Sequence, residues 1–280
     1  MSDMATVSYG SEDDDLYIHH IRRTEPFERT NHFHRNYEVY YLLSGERLYF
    51  IKDRSFTLQQ GDLVFINKLD LHSSLNAENP QHERVLINFS DAYANDYADN
   101  RFLFEPFTHP SGRVLSLNMQ ERMFVEQLLL KLTKEAHAHG TGFELYMKHL
   151  LIELLLFASR YLEKHKTTAV AAESPLHGKV TEIVRFINLN YALPLTLNEL
   201  SERFYMSPHY LSRSFKKVTG FSFVEYVNAI RVKEAQRLLK ETENKIIDIA
   251  DHVGFESIAH FGRVFKAVAR ISPLQYRKQE

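Results

Sequence analysis

An internal repeat near the end of the chain constrains the fold more than any other feature. Residues 207–220 read SPHYLSRSFKKVTG, and residues 257–270, 50 positions later, read SIAHFGRVFKAVAR. Each copy begins with serine, a preferred helix N-cap, and carries apolar residues at helical spacing. The same spacing aligns Leu200 with Ala250 in an upstream helix. The pattern predicts two copies of one unit (helix, tight turn, helix) rather than a solenoid.

The second copy and its surroundings resemble a known family. Residues 246–266 read IIDIADHVGFESIAHFGRVFK and residues 271–277 read ISPLQYR, a spaced signature similar to that of the AraC/XylS transcription regulators. The resemblance implies an all-α C-terminal domain in which a long helix joins two helix-turn-helix units. It also implies double-stranded DNA as a partner, and activation of transcription through contacts with RNA polymerase.

The same resemblance implies which side chains meet the DNA. Recognition helices read base edges from exposed N-terminal positions, while surrounding donors contact phosphates. The first unit offers His209, Ser212 and Arg213 to bases and Lys216 and Lys217 to phosphates; the second offers Ile258, Ala259, Gly262 and Arg263, with Lys266 equivalent to Lys216. Only Arg263 can form strong polar base contacts in the second unit, so we expect that unit to read sequence more weakly. The alternative for Arg213 and Arg263 is a surface salt bridge.

Arg270 follows the second recognition helix at the position where Gly220 follows the first. Glycine suits the left-handed conformation that commonly ends a helix, whereas arginine adopts it only at an energetic cost. We therefore expect the second recognition helix to end differently from the first.

The first half of the chain has the pattern of a small β-barrel. Between residues 17 and 90, short runs rich in Val, Ile, Tyr and Phe are separated by glycine-containing turns. Residues 32–45 read HFHRNYEVYYLLSG, which resembles the first cupin motif, and Gly61 and His72 belong to a weaker second motif. On an extended strand, alternate residues from His32 to Glu38, including Asn36, would point to one face. The predicted fold class is α+β: an N-terminal cupin-like β-barrel (jelly roll) with a helical hairpin, then the all-α domain with two helix-turn-helix units.

Three interpretations of the polar residues in this barrel stay open. In the first, His34, Glu38, Tyr40 and His72 bind a small-molecule effector without a metal. In the second, His32, His34, Glu38 and His72 hold a transition metal, because imidazoles and a carboxylate suit first-row ions. In the third, the residues are structural. The resembling regulators use this barrel mainly as a sensor, which favours an effector-modulated regulator with no enzymatic activity and no cofactor. A metal-dependent cupin enzyme fused to a DNA-binding domain, or a regulator controlled by abundance, are the alternatives.

Patterning divides the chain into four segments. They are the effector-sensing domain at 1–115, a helical hairpin at 116–165, a linker at 166–177 and the DNA-binding domain at 178–280. The last segment carries 16 Lys and Arg against 11 Asp and Glu, although the whole chain has a net charge of −2. This local positive charge fits a polyanionic partner.

Two helices are predicted in the hairpin, at residues 119–137 and 143–164. The second is apolar over most of its circumference, so one face can pack on the barrel while another meets a second subunit in a homodimer. The alternative is a plain intrachain hairpin. The chain has no Cys and no apolar run long enough to span a bilayer, so we expect a cytoplasmic protein without a membrane partner.

Overall fold

The β-rich part of the chain folds into two antiparallel sheets that face each other. The computed structural model describes residues 4–12, 14–26, 31–32, 34–94, 100–109, 113–165 and 175–278. The strands within them are β1 Met4–Tyr9, β2 Leu16–Arg23, β3 Asn31–His32, β4 Tyr37–Gly45, β5 Arg47–Ile51, β6 Arg54–Leu58, β7 Asp62–Ile66, β8 His72–Asn76, β9 His82–Phe89 and β10 Val114–Ser116. The larger sheet has the order β1-β2-β9-β4-β7-β10, and the smaller has the order β3-β8-β5-β6.

Strand β4 separates two apolar cores. Successive side chains of a strand point to opposite faces. Val39 and Tyr41 therefore lie in the core that the larger sheet shares with the following helices, whereas Tyr40 and Leu42 lie in the core between the two sheets. Because both faces are covered, β4 reads as a nearly continuous apolar run.

Helices cover the outer face of the larger sheet. The predicted hairpin consists of α3 Met119–Ala138 and α4 Phe143–Lys164, which pack on this sheet through one continuous apolar core. The stretch before β10 also contains α1 Asp91–Ala94, a 3₁₀ turn at Arg101–Phe104 and α2 Glu105–Thr108.

The C-terminal part is all helical and contains two helix-turn-helix units. Its helices are α5 Pro175–Asn190, α6 Leu197–Arg203, α7 Pro208–Thr219, α8 Phe223–Glu241, α9 Ile246–His252, α10 Ile258–Ala269 and α11 Pro273–Lys278. The long helix α8 joins the two units, so the predicted α+β fold class is confirmed. Residues 175–177, expected in the linker, already belong to α5, and residues 166–174 lie outside the described residues. No helix in the described ranges is long and apolar enough to cross a membrane.

The predicted helix starts rest on observed caps. The Ser207 side-chain oxygen accepts a hydrogen bond from the backbone N–H of Tyr210 at 3.3 Å. Ser222 and Glu225 form a reciprocal capping box at the start of α8. These local bonds fix where α7 and α8 begin, independently of the tertiary structure.

The repeat has two spacings rather than one. Helices α6 and α9 begin 49 positions apart, whereas α7 and α10 begin 50 positions apart. Leu200 is therefore equivalent to Ile249, and the predicted match with Ala250 is wrong. Tyr205 and Gly254 are the equivalent turn residues, both with positive φ (54° and 91°), and one extra residue separates Gly254 from its recognition helix.

Arg270 ends α10 in the left-handed conformation, with φ 65°, as Gly220 ends α7 with φ 83°. The expected difference between the two helix ends is therefore wrong. The backbone keeps the geometry that the repeat requires, and arginine adopts an unfavourable conformation to do so.

Candidate nucleic-acid interface and interior cleft

The recognition helices α7 and α10 each bury one stripe of side chains and expose the other. Leu211 and Phe215 are fully buried in α7, as are Phe261 and Phe265 in α10. The exposed residues of the predicted DNA-binding set are His209, Arg213, Lys216, Lys217, Ile258, Ala259, Arg263 and Lys266, and the half-buried ones are Ser212 and Gly262. The structure therefore leaves the predicted surface accessible in both units.

Arg213 and Arg263 occupy equivalent exposed positions. Neither forms a hydrogen bond or an ion pair with another described residue. Both guanidinium groups therefore remain available for bidentate contacts to guanine O6 and N7. The salt-bridge alternative gains no support from the described residues.

Two tyrosines beside this surface were not predicted as contacts. Tyr210 is 55% exposed on α7, and Tyr205 is 95% exposed in the turn before it. A tyrosine hydroxyl is a common donor to DNA phosphates. Placing Tyr210 on the same exposed face as His209 and Arg213 would have identified one of them from sequence.

Three of the residues predicted for the barrel interior converge between the sheets. The distance from Glu38 Oε2 is 3.1 Å to His34 Nε2 and 3.7 Å to His72 Nε2. Glu38 and His72 are buried and His34 is half-buried. Two imidazoles and a carboxylate with open positions beside them can coordinate a transition metal.

Backbone carbonyls orient both imidazoles of this cluster. His34 Nδ1 lies 2.7 Å from the carbonyl oxygen of Asn36, and His72 Nδ1 lies 2.8 Å from that of Asp70. A carbonyl only accepts, so each Nδ1 carries a proton and each Nε2 faces Glu38. Burial by itself lowers the pKa of His34, but the hydrogen bond and charge of Glu38 more than offset it, and the pKa lies above its ordinary value.

The other predicted interior residues have different outcomes. Residues 35 and 36, just before β4, form a bend rather than part of an extended strand. The backbone of His32 pairs with His72, but its side chain lies outside the described residues. Asn36 donates to the carbonyl oxygens of Glu12 and Asp14 at 3.2 and 3.0 Å, so the shared face predicted for Asn36 is wrong.

A cleft of about 70 Å³ opens between the sheets beside this cluster. Glu38 and His72 line it, together with residues that the sequence did not single out: Glu12, Tyr17, His19, Tyr49, Ser74, Arg84, Leu86 and Asn88. The fourth predicted effector residue, Tyr40, is buried in the adjacent core. Alternate residues on β2 and β9 face this interior, so a period-two analysis of both strands could have found half of the lining.

Positive charge gathers at the end of the cleft away from Glu38. Along β9, Asn88 is paired with Glu38 and Arg84 lies four residues further on, about 13 Å away along the strand. Burial, followed by the charge of Arg84, lowers the pKa of His19 to about 4. His19 is therefore neutral at pH 7, and the arginine supplies the local charge.

Comparison with known protein families divides the chain in the same way. Residues 16–155 match the family described as the AraC-like ligand binding domain, and residues 200–279 match a helix-turn-helix domain. The chain belongs to the AraC family. As an AraC-family protein it is a DNA-binding transcription regulator with a ligand-binding N-terminal domain.

AraC-family relatives align over most of this chain. The Msm operon regulatory protein of Streptococcus mutans is 27% identical over 245 residues, which cover 87% of this chain and 84% of that protein. An uncharacterized HTH-type transcriptional regulator of Staphylococcus aureus is 26% identical over 241 residues, or 85% of this chain, but these cover only 31% of that longer protein. These relatives are transcription regulators.

Solved structures are similar at a coarser level. ToxT from Vibrio cholerae O395 aligns with 94% of this chain and 97% of its own, at 16% identity and a TM-score of 0.36. The C-terminal domain of AraT from Geobacillus stearothermophilus aligns with 38% of this chain and 89% of its own, at 35% identity and a TM-score of 0.37.

In this AraC-family chain the smaller sheet packs on the first helix-turn-helix unit. Phe50 and Leu71 lie in the same apolar core as Phe215 of α7. The hydroxyl of Ser73 donates to the carbonyl oxygen of Thr219 at 2.5 Å, at the C-terminal end of α7. The ligand-binding domain thus contacts the end of the recognition helix opposite its predicted base-reading residues.

Residues 70–73 connect the cleft with the DNA-binding domain. His72 lines the cleft, and the Asp70 carbonyl orients its ring. The Asp70 carboxylate lies 3.3 Å from Lys233 Nζ of α8 and 3.0 Å from Arg113 Nη1. Asp70 therefore contacts both His72 of the cleft and Lys233 of α8.

Proposed function

We propose that this AraC-family regulator reads two adjacent DNA segments with α7 and α10 and activates transcription in response to a small effector in the cleft. The observation that carries the DNA part is the exposure of Arg213 and Arg263 at equivalent positions without protein partners. Two recognition helices in one chain can enter successive major grooves on one face of a duplex.

The DNA-binding proposal is tested by fluorescence anisotropy with duplexes from upstream of the protein's own gene, over a salt series. Arg213→Ala should weaken sequence-specific binding about ten- to a hundredfold, because a bidentate arginine–guanine contact contributes about 1–3 kcal/mol of discrimination. Arg263→Ala should weaken it less. Arg160→Ala, at an exposed position of α4, is the matched control. Binding without sequence preference that neither change affects would contradict the proposal.

Effector control is supported by the position of residues 70–73 between the cleft and α8. A ligand can act on DNA affinity only if it binds one arrangement of the two domains more tightly than another. The contacts of Asp70 with Lys233 and of Ser73 with Thr219 hold the two domains in one such arrangement. If no ligand of the cleft changes DNA affinity, control by abundance becomes the better account.

Metal binding is a second candidate role for the interior cluster. It is favoured by the carbonyl oxygens that hold Nδ1 of His34 and His72, an arrangement typical of metal-bound imidazoles. We expect the protein to retain about one Zn²⁺ per chain after EDTA treatment and reloading, measured by mass spectrometry, and His72→Ala to lose it. His149→Ala, at an exposed position of α4, should not. Unchanged DNA binding with no retained metal would contradict this role.

We further propose that the protein acts in the cytoplasm as a homodimer and contacts RNA polymerase. The apolar side chains exposed on α3 and α4 support the dimer. Transcription in vitro with purified RNA polymerase tests activation: more transcript is expected when the regulator is added. Less transcript would make the protein a repressor.

A further inference from the structure

Three buried polar atoms near the cleft lack hydrogen-bond partners among the described residues. They are Arg84 Nη1, the Tyr40 hydroxyl and Asn88 Oδ1. Buried polar atoms are nearly always paired, because leaving one unpaired destabilises the fold. Arg84 Nη1 can only donate, Asn88 Oδ1 can only accept, and the Tyr40 hydroxyl can do either. Arg84 and Asn88 line the cleft and offer a donor and an acceptor to a ligand, whereas Tyr40 lies in the adjacent core.

We propose that the effector is a short-chain hydroxycarboxylate. Its carboxylate accepts hydrogen bonds from Arg84, and its hydroxyl donates to Asn88 Oδ1. This inference rests on the proposed effector control and adds the chemical class of the ligand and the residues that recognise it.

The unpaired charge of Arg84 favours an anion. Arg84 forms no ion pair with a described residue, and its Nη2 lies 3.4 Å from Nδ1 of the neutral His19 ring. Its guanidinium carbon lies 5.8 Å from the centroid of the Tyr40 ring, so the group extends toward the middle of the barrel. The guanidinium fork matches the two oxygens of a carboxylate. A ligand carboxylate would therefore neutralise a half-buried positive charge.

Arg84 lies near a second arginine, Arg47, and forms no ion pair with Glu12 or Glu38, the two carboxylates that line the cleft. Arg47 is fully buried and donates to the neutral side chains of Ser74 and Asn76. The carboxylate of Glu38 lies at the opposite end of the cleft, beside two imidazoles. An anionic ligand group is thus attracted to the arginine end and repelled from the Glu38 end.

The size of the cleft limits the ligand. Its volume of about 70 Å³ is about five times the space that one enclosed water requires. Drug-sized ligands occupy pockets of roughly 300 Å³ or more. The cleft therefore fits an acid with roughly five to seven non-hydrogen atoms.

The probes are glycolate, lactate and 3-hydroxybutyrate, with glycolamide and lactamide as neutral controls of nearly the same shape. Binding to the full-length protein is measured by calorimetry and by the shift in thermal unfolding, at an ionic strength matched with chloride. At least one acid should bind and raise the unfolding temperature, while its amide should bind at least tenfold more weakly.

Two variants test the assigned residues. Arg84→Gln should weaken binding of the acid about ten- to a hundredfold, since a charge-assisted pair is lost. Asn88→Leu should weaken it several-fold, because the ligand hydroxyl loses its acceptor. Arg22→Gln, at an exposed position of β2, is the matched control and should bind like the wild type. The thermal unfolding of each unliganded variant shows whether it is folded.

The outcomes separate the ligand class from effector control. Equal binding of acid and amide, no binding of any acid, or unchanged binding by Arg84→Gln would overturn the hydroxycarboxylate proposal. A neutral compound that binds the cleft and alters DNA affinity would also overturn the hydroxycarboxylate proposal, but it would support effector control. An acid that binds through Arg84 without altering DNA affinity would support the ligand class and contradict effector control.

Discussion

Arg270 shows how one residue can meet the demands of its helix at a cost. It adopts the left-handed conformation that Gly220 adopts in the first unit. For a non-glycine residue this conformation costs about 1–2 kcal/mol. Replacement by glycine removes this cost, but it also gives the unfolded chain more conformational freedom, which offsets part of the gain in stability. We expect Arg270→Gly to raise the free energy of unfolding by about 0.5–1 kcal/mol, measured by urea denaturation. The reverse change in the first unit, Gly220→Arg, should lower the free energy of unfolding. If neither change alters this free energy, strain in the left-handed conformation is not significant at these positions.

His82 gives the protein a predictable response to acid. Burial, with a further contribution from the charges of Arg47 and Arg84, lowers the pKa of His82 to about 4. Its ordinary value is about 6.5, so between these values the unfolded chain binds a proton that the native chain does not. Stability should therefore fall as the pH drops from about 6.5 to 4, by about 1–2 kcal/mol from this group after allowance for solvent screening.

The measurement is urea denaturation of the wild type and His82→Asn at pH 7 and pH 5. Asparagine can replace the Nδ1–H donor that contacts the Pro80 carbonyl at 2.8 Å, but it does not titrate. The variant should lose less stability between the two pH values. His149→Asn, at an exposed position of α4, serves as the control. An identical pH dependence in His82→Asn and the wild type would refute a depressed pKa.

At the scale of elements, α4 packs within the chain on one side and exposes apolar side chains on the other. One side of α4 packs on α3 and the larger sheet. On its other side, Leu145 is 63% exposed and Tyr146 is 43% exposed, which is unusual for a purely intrachain hairpin.

We expect Leu145→Glu to weaken the proposed dimer at least tenfold in sedimentation velocity, since burial of a leucine contributes about 1.5–3 kcal/mol. Leu189→Glu, 83% exposed on α5, is the control; a monomeric wild type at micromolar concentration would exclude the dimer.

At the scale of the whole molecule, Asp70 and Lys233 link the ligand-binding domain to the helix that joins the two DNA-binding units. Coupling between binding sites is reciprocal, so DNA bound at α7 and α10 must affect the cleft if the cleft affects DNA binding. We expect DNA to change hydrogen exchange of the β8 amides in the wild type, and Lys233→Met to reduce that change several-fold. The ion pair is one-third exposed at the lysine, so its own contribution to stability is about 1 kcal/mol or less.

The control for this measurement is Lys131→Met, at an exposed position of α3. It removes one positive charge without touching the domain interface. An equal response of β8 in the wild type and Lys233→Met would show that this ion pair does not carry the coupling.

Local signals account for what the sequence predicted well. The cap at Ser207 and the apolar stripes of α7 and α10 depend on residues near one another in the chain. Such signals determine where elements begin and which face is buried. They sufficed for the fold class and for the exposure of most of the residues predicted to bind DNA. They failed where one residue is inserted, in the turn after Gly254. A comparison of the two units at the 50-residue spacing alone does not detect that α6 and α9 begin only 49 positions apart.

The cleft was decided by the tertiary structure. His34, Glu38 and His72 were predicted from a motif, but Arg84, Asn88 and Tyr49 come from strands with no such motif and meet only when the two sheets face each other. The contact between Asp70 and Lys233 joins residues more than 160 positions apart. By itself the sequence determined the long helices, the β-rich character of the first half and the family, because these depend on local spacing. Which charges share an interior, and which residues couple it to the DNA-binding domain, followed only from the packing of distant segments.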